Sequence, residues 1–94
     1  MKNGAIETSE AAILSRIIRP ESDAWSKDAA ESILQFDFAS ADVERMNALA
    51  VRARTGSLSA GEQAELDNYR DVGRLLELLQ SKARLSLRRL ASAA

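Results

Sequence analysis

Cysteine and histidine are both missing from this 94-residue chain, proline occurs once, glycine four times, and aromatic residues make up only 4%. Each shortage excludes a class of chemistry. Without cysteine there is no disulfide framework, no thiolate nucleophile and no zinc–thiolate site. Without histidine the usual general base near neutral pH and the commonest metal ligand are gone. The Glu-x-x-His pairs of helical di-iron centres cannot be written either. The glycines stand at positions 4, 56, 61 and 73, too scattered for a phosphate-cradling loop. No apolar run approaches the ~20 residues that cross a bilayer. Glu7 and Glu10 interrupt the place where the apolar stretch of a signal peptide would fall, so no leader is expected and the cytoplasm is the expected compartment. A non-enzymatic protein with no cofactor and no metal is therefore expected.

Hydrophobic residues form 46% of the chain and charged residues 29%, a balance that folds rather than staying disordered. The length supports one domain with one small core. Alanine, leucine, serine, arginine and glutamate dominate and proline and glycine are few, so helix is favoured almost throughout. The expected fold is all-α: a small helical bundle of three short helices and one long C-terminal helix. Residues 1–94 form a single domain in this reading, with 1–25 as a candidate N-terminal arm and 60–91 as the long helix.

The first segment spans Ser9 to Ile18, capped by Thr8 or Ser9, with Ile13, Leu14, Ile17 and Ile18 on one face. Pro20 ends it, and "PESDAW" connects. Ser26 caps the second helix, whose Ala29, Ala30, Ile33 and Leu34 form the expected buried face. Phe36 and Phe38 flank Asp37 in a corner expected to plug the core. The third helix starts at Ser40 and buries Val43, Met46, Leu49, Ala50 and Ala53. Gly56 caps its C-terminal end, and the first-turn acids Asp42 and Glu44 and the late Arg52 and Arg54 complement its dipole. Ser59 and Glu62 have the spacing of a capping box, which opens the last helix. Nothing stops that helix for about 30 residues, or roughly 45 Å.

Two apolar stripes run along it. Tyr69, Val72, Leu76, Leu79, Ala83 and Leu90 repeat at alternating steps of three and four, with Ser86 in one place of the stripe, as in a coiled-coil seam. Leu75, Leu78, Leu85 and Leu87 form a second set, turned away from the first. Short helices of 10 to 15 residues cannot cover both sides of so long a rod. Leu75, Leu78, Leu79, Leu85 and Leu87 are therefore the candidate protein-interface residues, for a homodimer or a larger protein partner. A compact monomer is the alternative, if the helix bends at Gly73 and hides both stripes.

Charge is polarised along the chain: fourteen acids and nine bases lie at or before Glu77, and Lys82, Arg84, Arg88 and Arg89 lie beyond it. Those four are candidate nucleic-acid contacts, the second functional hypothesis. An acidic pI near 5.4, the absence of interleaved aromatics, and the preference of a helix C-terminus for cations weigh against it. A helix-turn-helix reading of the second and third helices fares worse, because Asp42 and Glu44 would repel phosphates. The cluster Glu62, Glu65, Asp67 and Asp71 reads as a solvated face, with Arg70 and Arg74 beside it as ion-pair partners. Trp25 reads as a lid on the core rather than a binding anchor.

From Phe36 to Arg84 the chain, "FDFASADVERMNALAVRARTGSLSAGEQAELDNYRDVGRLLELLQSKAR", resembles small bacterial all-helical proteins. In these a "DF…D…RM" element precedes "LLQSKAR". Such proteins carry no assigned activity and are often encoded near HNH-type nuclease genes. The resemblance implies a partner or regulatory role, transfers no site residue, and leaves residues 1–25 outside it.

Overall fold

The computed structural model describes residues 6–18 and 25–93. Four helices make up the described chain: α1 (Glu10–Ile18), α2 (Lys27–Leu34), α3 (Ser40–Arg54) and α4 (Ala60–Ala93). Among the described residues there is no strand. Pro20 and most of the connector fall outside them, although α1 does end at Ile18.

Local hydrogen bonds set the boundaries. The Ser9 hydroxyl accepts from the Ala12 amide at 3.2 Å, which selects Ser9 as the cap of α1. Ser26 does the same for Ala29 at 3.2 Å. Between α3 and α4, Gly56 adopts φ of 69°, the left-handed region where a side chain is strained. The Gly56 amide then reaches the Ala53 carbonyl at 3.2 Å and the Ser57 amide reaches Arg52 at 2.9 Å, the paired bonds of a Schellman turn. The capping box follows immediately. The Glu62 amide donates to the Ser59 hydroxyl at 3.1 Å, and the Ser59 amide donates to the Glu62 carboxylate at 3.0 Å.

Helix α4 is 34 residues long, about 50 Å, and forms the wall on which the rest is built. Each short helix packs on α4 and none on another. The direction of α1 follows that of α4, because Ala11, Ala12 and Ser15 lie by Asp71, Arg74 and Leu75, while Ile18 lies by Lys82. Helices α2 and α3 run the opposite way, with Trp25 at Ser86, Ile33 at Gln80, and Asp42 at Tyr69.

The buried apolar set among the described residues is small: Ala30, Leu49, Leu66 and Ala83. Several residues expected inside are outside. Ala29 and Ala53 are exposed, Val43 keeps 39% of its surface open, and Phe36 is 53% exposed rather than a plug. Phe38 does turn inward and meets the Tyr69 ring edge-on, centroids 6.2 Å apart. The largest surprise is α1. Its more covered residues are Ala11, Ala12, Ser15 and Ile18, whereas Ile17 is 71% exposed and Ile13 and Leu14 keep 41% and 44% of their surface open.

The molecule measures 53 × 44 × 16 Å with a radius of gyration of 17.0 Å. Compact chains of this length have about 13 Å. Helix axes pack 8–10 Å apart, so the thin dimension holds two stacked helices and no third. Few side chains can be enclosed from all sides.

Gly73 lies inside α4, which stays helical through it, and a methyl group added there meets nothing within 4 Å. Gly73→Ala should therefore raise stability by about 0.5–1 kcal/mol in denaturant titration, since only the helix-propensity cost of glycine is removed.

Candidate protein-interaction surface

The five leucines expected at an interface, Leu75, Leu78, Leu79, Leu85 and Leu87, are all half-buried. The flank of α4 that carries Leu75 and Lys82 is the one α1 lies on, with Leu78 and Leu85 one turn from Lys82 on the same side. The other flank, with Ala83 and Gln80, receives α2. The chain's own short helices thus cover much of both stripes. What stays open is the stretch not reached by α2: Val72 is 50% exposed and Leu90 is 42% exposed. Those two lie five helical turns apart on one face, at either end of the α2 footprint.

An apolar groove marks the open end near Val72. Leu75, Leu76 and Leu79 form its floor, and Phe36, Phe38 and Val72 its sides. A second depression shares Phe38 and Val72 and continues toward Asp42, Glu65 and Asn68. Leu75 and Leu79 are the two expected interface residues that reach this groove. Leu78, Leu85 and Leu87 do not line it.

Polar side chains of α4 close the ends of the other helices. The Gln80 amide donates to the Ile33 and Phe36 carbonyls at 3.3 and 2.9 Å, satisfying the last turn of α2. The Lys82 ammonium donates to the Ile18 carbonyl at 3.1 Å, at the negative end of α1, and sits 4.7 Å from the centre of the Trp25 ring. The Ser86 hydroxyl accepts from the Trp25 amide at 2.9 Å. Trp25 is a lid, as expected, but one held by charge as well as by packing.

This arrangement breaks up the basic rail. Lys82 is only 5% exposed, which withdraws its ammonium from any surface that could meet phosphates. Arg84 pairs with Glu77 at 3.1 Å and bonds the Ser81 hydroxyl. Arg88 and Arg89 are exposed on the free end of α4, where residues 88–93 all face solvent. Of the four candidate nucleic-acid contacts, the structure brings these two together at the surface and takes Lys82 away.

The acids at the start of α4 serve the α3–α4 hairpin. Arg45 makes a two-pronged bond to Glu65 at 2.9 and 2.8 Å, Arg52 meets Glu62 at 2.6 Å, and the Tyr69 hydroxyl donates to Asp42 at 2.7 Å. Asp67 and Asp71 do pair with Arg70 and Arg74, at 3.9 and 3.2 Å. The guanidinium of Arg45 holds Glu65 below the usual carboxylate range. The Ser59 amide, helped by Arg52, lowers Glu62. The bond to Asp42 raises the Tyr69 phenol above its ordinary value. The sequence carried a signal for two of these pairs that the reading by dipoles missed: Arg52 and Arg45 stand at nearly the same distance before the Gly56 turn as Glu62 and Glu65 after it. Among the described residues no three acids gather in a way that could hold a metal ion, and no helix is long and apolar enough to cross a membrane.

Comparison with protein-family models, with curated proteins and with solved structures returns no match.

Two tests follow from these contacts. Glu62 and Glu65 titrate lower in the folded chain, so their stabilisation is complete above the ordinary carboxylate pKa of about 4.3 and fades as pH falls through the lowered values. Thermal unfolding followed by circular dichroism should show loosening below about pH 4, and Glu65→Gln should blunt it. Lys82→Met keeps the stem but loses the charged bond to Ile18 and the Trp25 contact. It should cost about 1.5–3 kcal/mol and shift the emission of Trp25, the only tryptophan.

Proposed function

We propose that this protein is a non-enzymatic interaction module, an accessory or regulatory subunit that works by burying apolar surface against another protein. One observation carries the reading. An apolar groove lined by Phe36, Phe38, Val72, Leu75, Leu76 and Leu79 lies open at the surface, with Phe36 53% and Val72 50% exposed. Contiguous apolar surface of that kind marks contact sites. The partner or regulatory role implied by the family resemblance points the same way.

Attachment to nucleic acid through the free end of α4 is the second reading, now reduced to Arg88 and Arg89 with Arg84 beside them. Phosphate contacts give retention that falls steeply with salt. Arg88→Ala with Arg89→Ala would flatten that fall.

The deciding experiment is cross-linking of the tagged chain in its native cells, followed by sizing and mass spectrometry of the product. The expected result is a defined complex of fixed stoichiometry, with no retention on DNA or RNA at moderate salt. A chain recovered single and alone at every concentration would end the module reading.

A further inference from the structure

Helix α1 is the one helix of the four without a buried residue. Helix α2 encloses Ala30 and α3 encloses Leu49, whereas every residue of α1 keeps some contact with solvent. The side chains that α1 lays on α4 are small: Ala11, Ala12 and Ser15 lie by Asp71, Arg74 and Leu75 across an open gap of about 260 Å³. Stabilisation by apolar contact scales with the area removed from water, and methyl-sized groups remove little. Ile17, which has more to bury, is 71% exposed. Among the described residues a single hydrogen bond crosses from α4 to α1, from the Lys82 ammonium to the Ile18 carbonyl at 3.1 Å. The other bonds of this segment are its own. Ser9 caps Ala12, and the Arg16 guanidinium donates to the Glu7 carbonyl at 2.8 Å, so neither depends on α4.

We infer that α1 is a strap: it opens from α4 as a unit while the other three helices stay together, Lys82 is its latch, and opening uncovers the flank of α4 that carries Leu75 and Leu78. Two properties of the contact carry this. The first is that little holds the strap shut. A helix of nine residues has scant stability of its own, and elements with few buried apolar contacts open ahead of the whole. Neither α2 nor α3 packs on α1, so its departure takes no contact from them. The second is that the flank beneath suits a better occupant. Leu75, Leu78 and Lys82 follow steps of three and four, the spacing that receives a partner helix in a coiled-coil seam. Leu75 meets alanine, serine and a gap instead. That the strap opens follows from its own contacts; that the opened flank then admits a helix of the partner rests on the module reading above. A helix laying leucine or isoleucine on Leu75 and Leu78 buries more apolar area than α1 does, and by binding the open form it draws the chain toward it.

Hydrogen exchange of the full-length chain reads the opening. The hydrogen-bonded amides of Ile13 to Ile18 should be protected relative to an unstructured peptide, yet exchange about 100-fold or more faster than those of Leu49 and Leu66, which open with the whole molecule. Leu14→Pro breaks α1 at a partly exposed position. It should remove the circular dichroism of about one nine-residue helix and leave Leu49 and Leu66 strongly protected. The chain has no cysteine, so Leu78→Cys supplies its only thiol. Adding Leu14→Pro should speed the reaction of that thiol with a maleimide by about 10-fold or more, because the flank is then always open. In the cross-linking experiment in cells, Leu14→Pro should raise the yield of the complex. Four results overturn the inference: α1 amides that exchange in step with Leu49 and Leu66, α1 amides with no protection at all, a Leu14→Pro chain that unfolds throughout, or a thiol indifferent to Leu14→Pro. A complex whose yield does not rise with Leu14→Pro also overturns it, while the module reading survives. If the strap opens as described and neither chain yields a complex, the module reading has failed and the opening stands.

Discussion

Everything in this molecule depends on α4 being one unbroken rod. The three shorter helices do not touch one another, so each owes its position to what α4 offers it. That offer is both apolar and polar. Leu66 and Ala83 provide buried wall, and Gln80, Lys82 and Ser86 bond backbone groups at or just beyond the ends of the short helices: the Phe36 and Ile18 carbonyls and the Trp25 amide. An orphaned backbone group away from water costs as much as a lost hydrogen bond. A helix of eight or nine residues has little stability of its own to offset that. By closing those ends, α4 lets segments far below the length of a self-sufficient helix persist.

Such a plan yields a plate rather than a ball. Where α2 meets α4, Ala30 and Ala83 are fully buried, consistent with two backbones drawn close by small residues instead of a thick layer of leucine. Larger apolar side chains then find themselves on the faces and edges. The same thinness that limits the core is what supplies surface for association, so modest self-sufficiency and capacity to bind are two aspects of one architecture.

The legible parts of the sequence were the local ones. Ser26, the Ser59–Glu62 box and Gly56 act on amides within a few residues, and each ended up where its chemistry requires. The all-helical class and the long last helix followed from propensity and from the lack of breakers. Periodicity was a weaker guide. It located an apolar stripe on α1 but could not say whether that stripe faces inward, because the alternative side, with Ala11, Ala12 and Ser15, also makes an acceptable packing surface. Lys82 misled for a related reason. A lysine among arginines on a helix looks like part of a solvated rail, and its burial depends on Trp25 and Ile18, more than fifty residues away. Among the five interface leucines, only Leu75 and Leu79 line the open groove; how much of the others is covered was decided by where α1 and α2 settle.

The Gly56 turn bears on the order of events as the chain takes shape. Across it, the side chains that join α3 to α4 are 10 to 27 positions apart, whereas those tying α1 and α2 to α4 span 44 to 64. Short-range closure is faster, so the hairpin should condense first and serve as the template on which the earlier segments settle. Ribosomal synthesis reverses that convenience. The first two helices emerge well before their only support exists, and for that interval Ile18, Ile33 and Trp25 must wait without a docking place in the nascent chain.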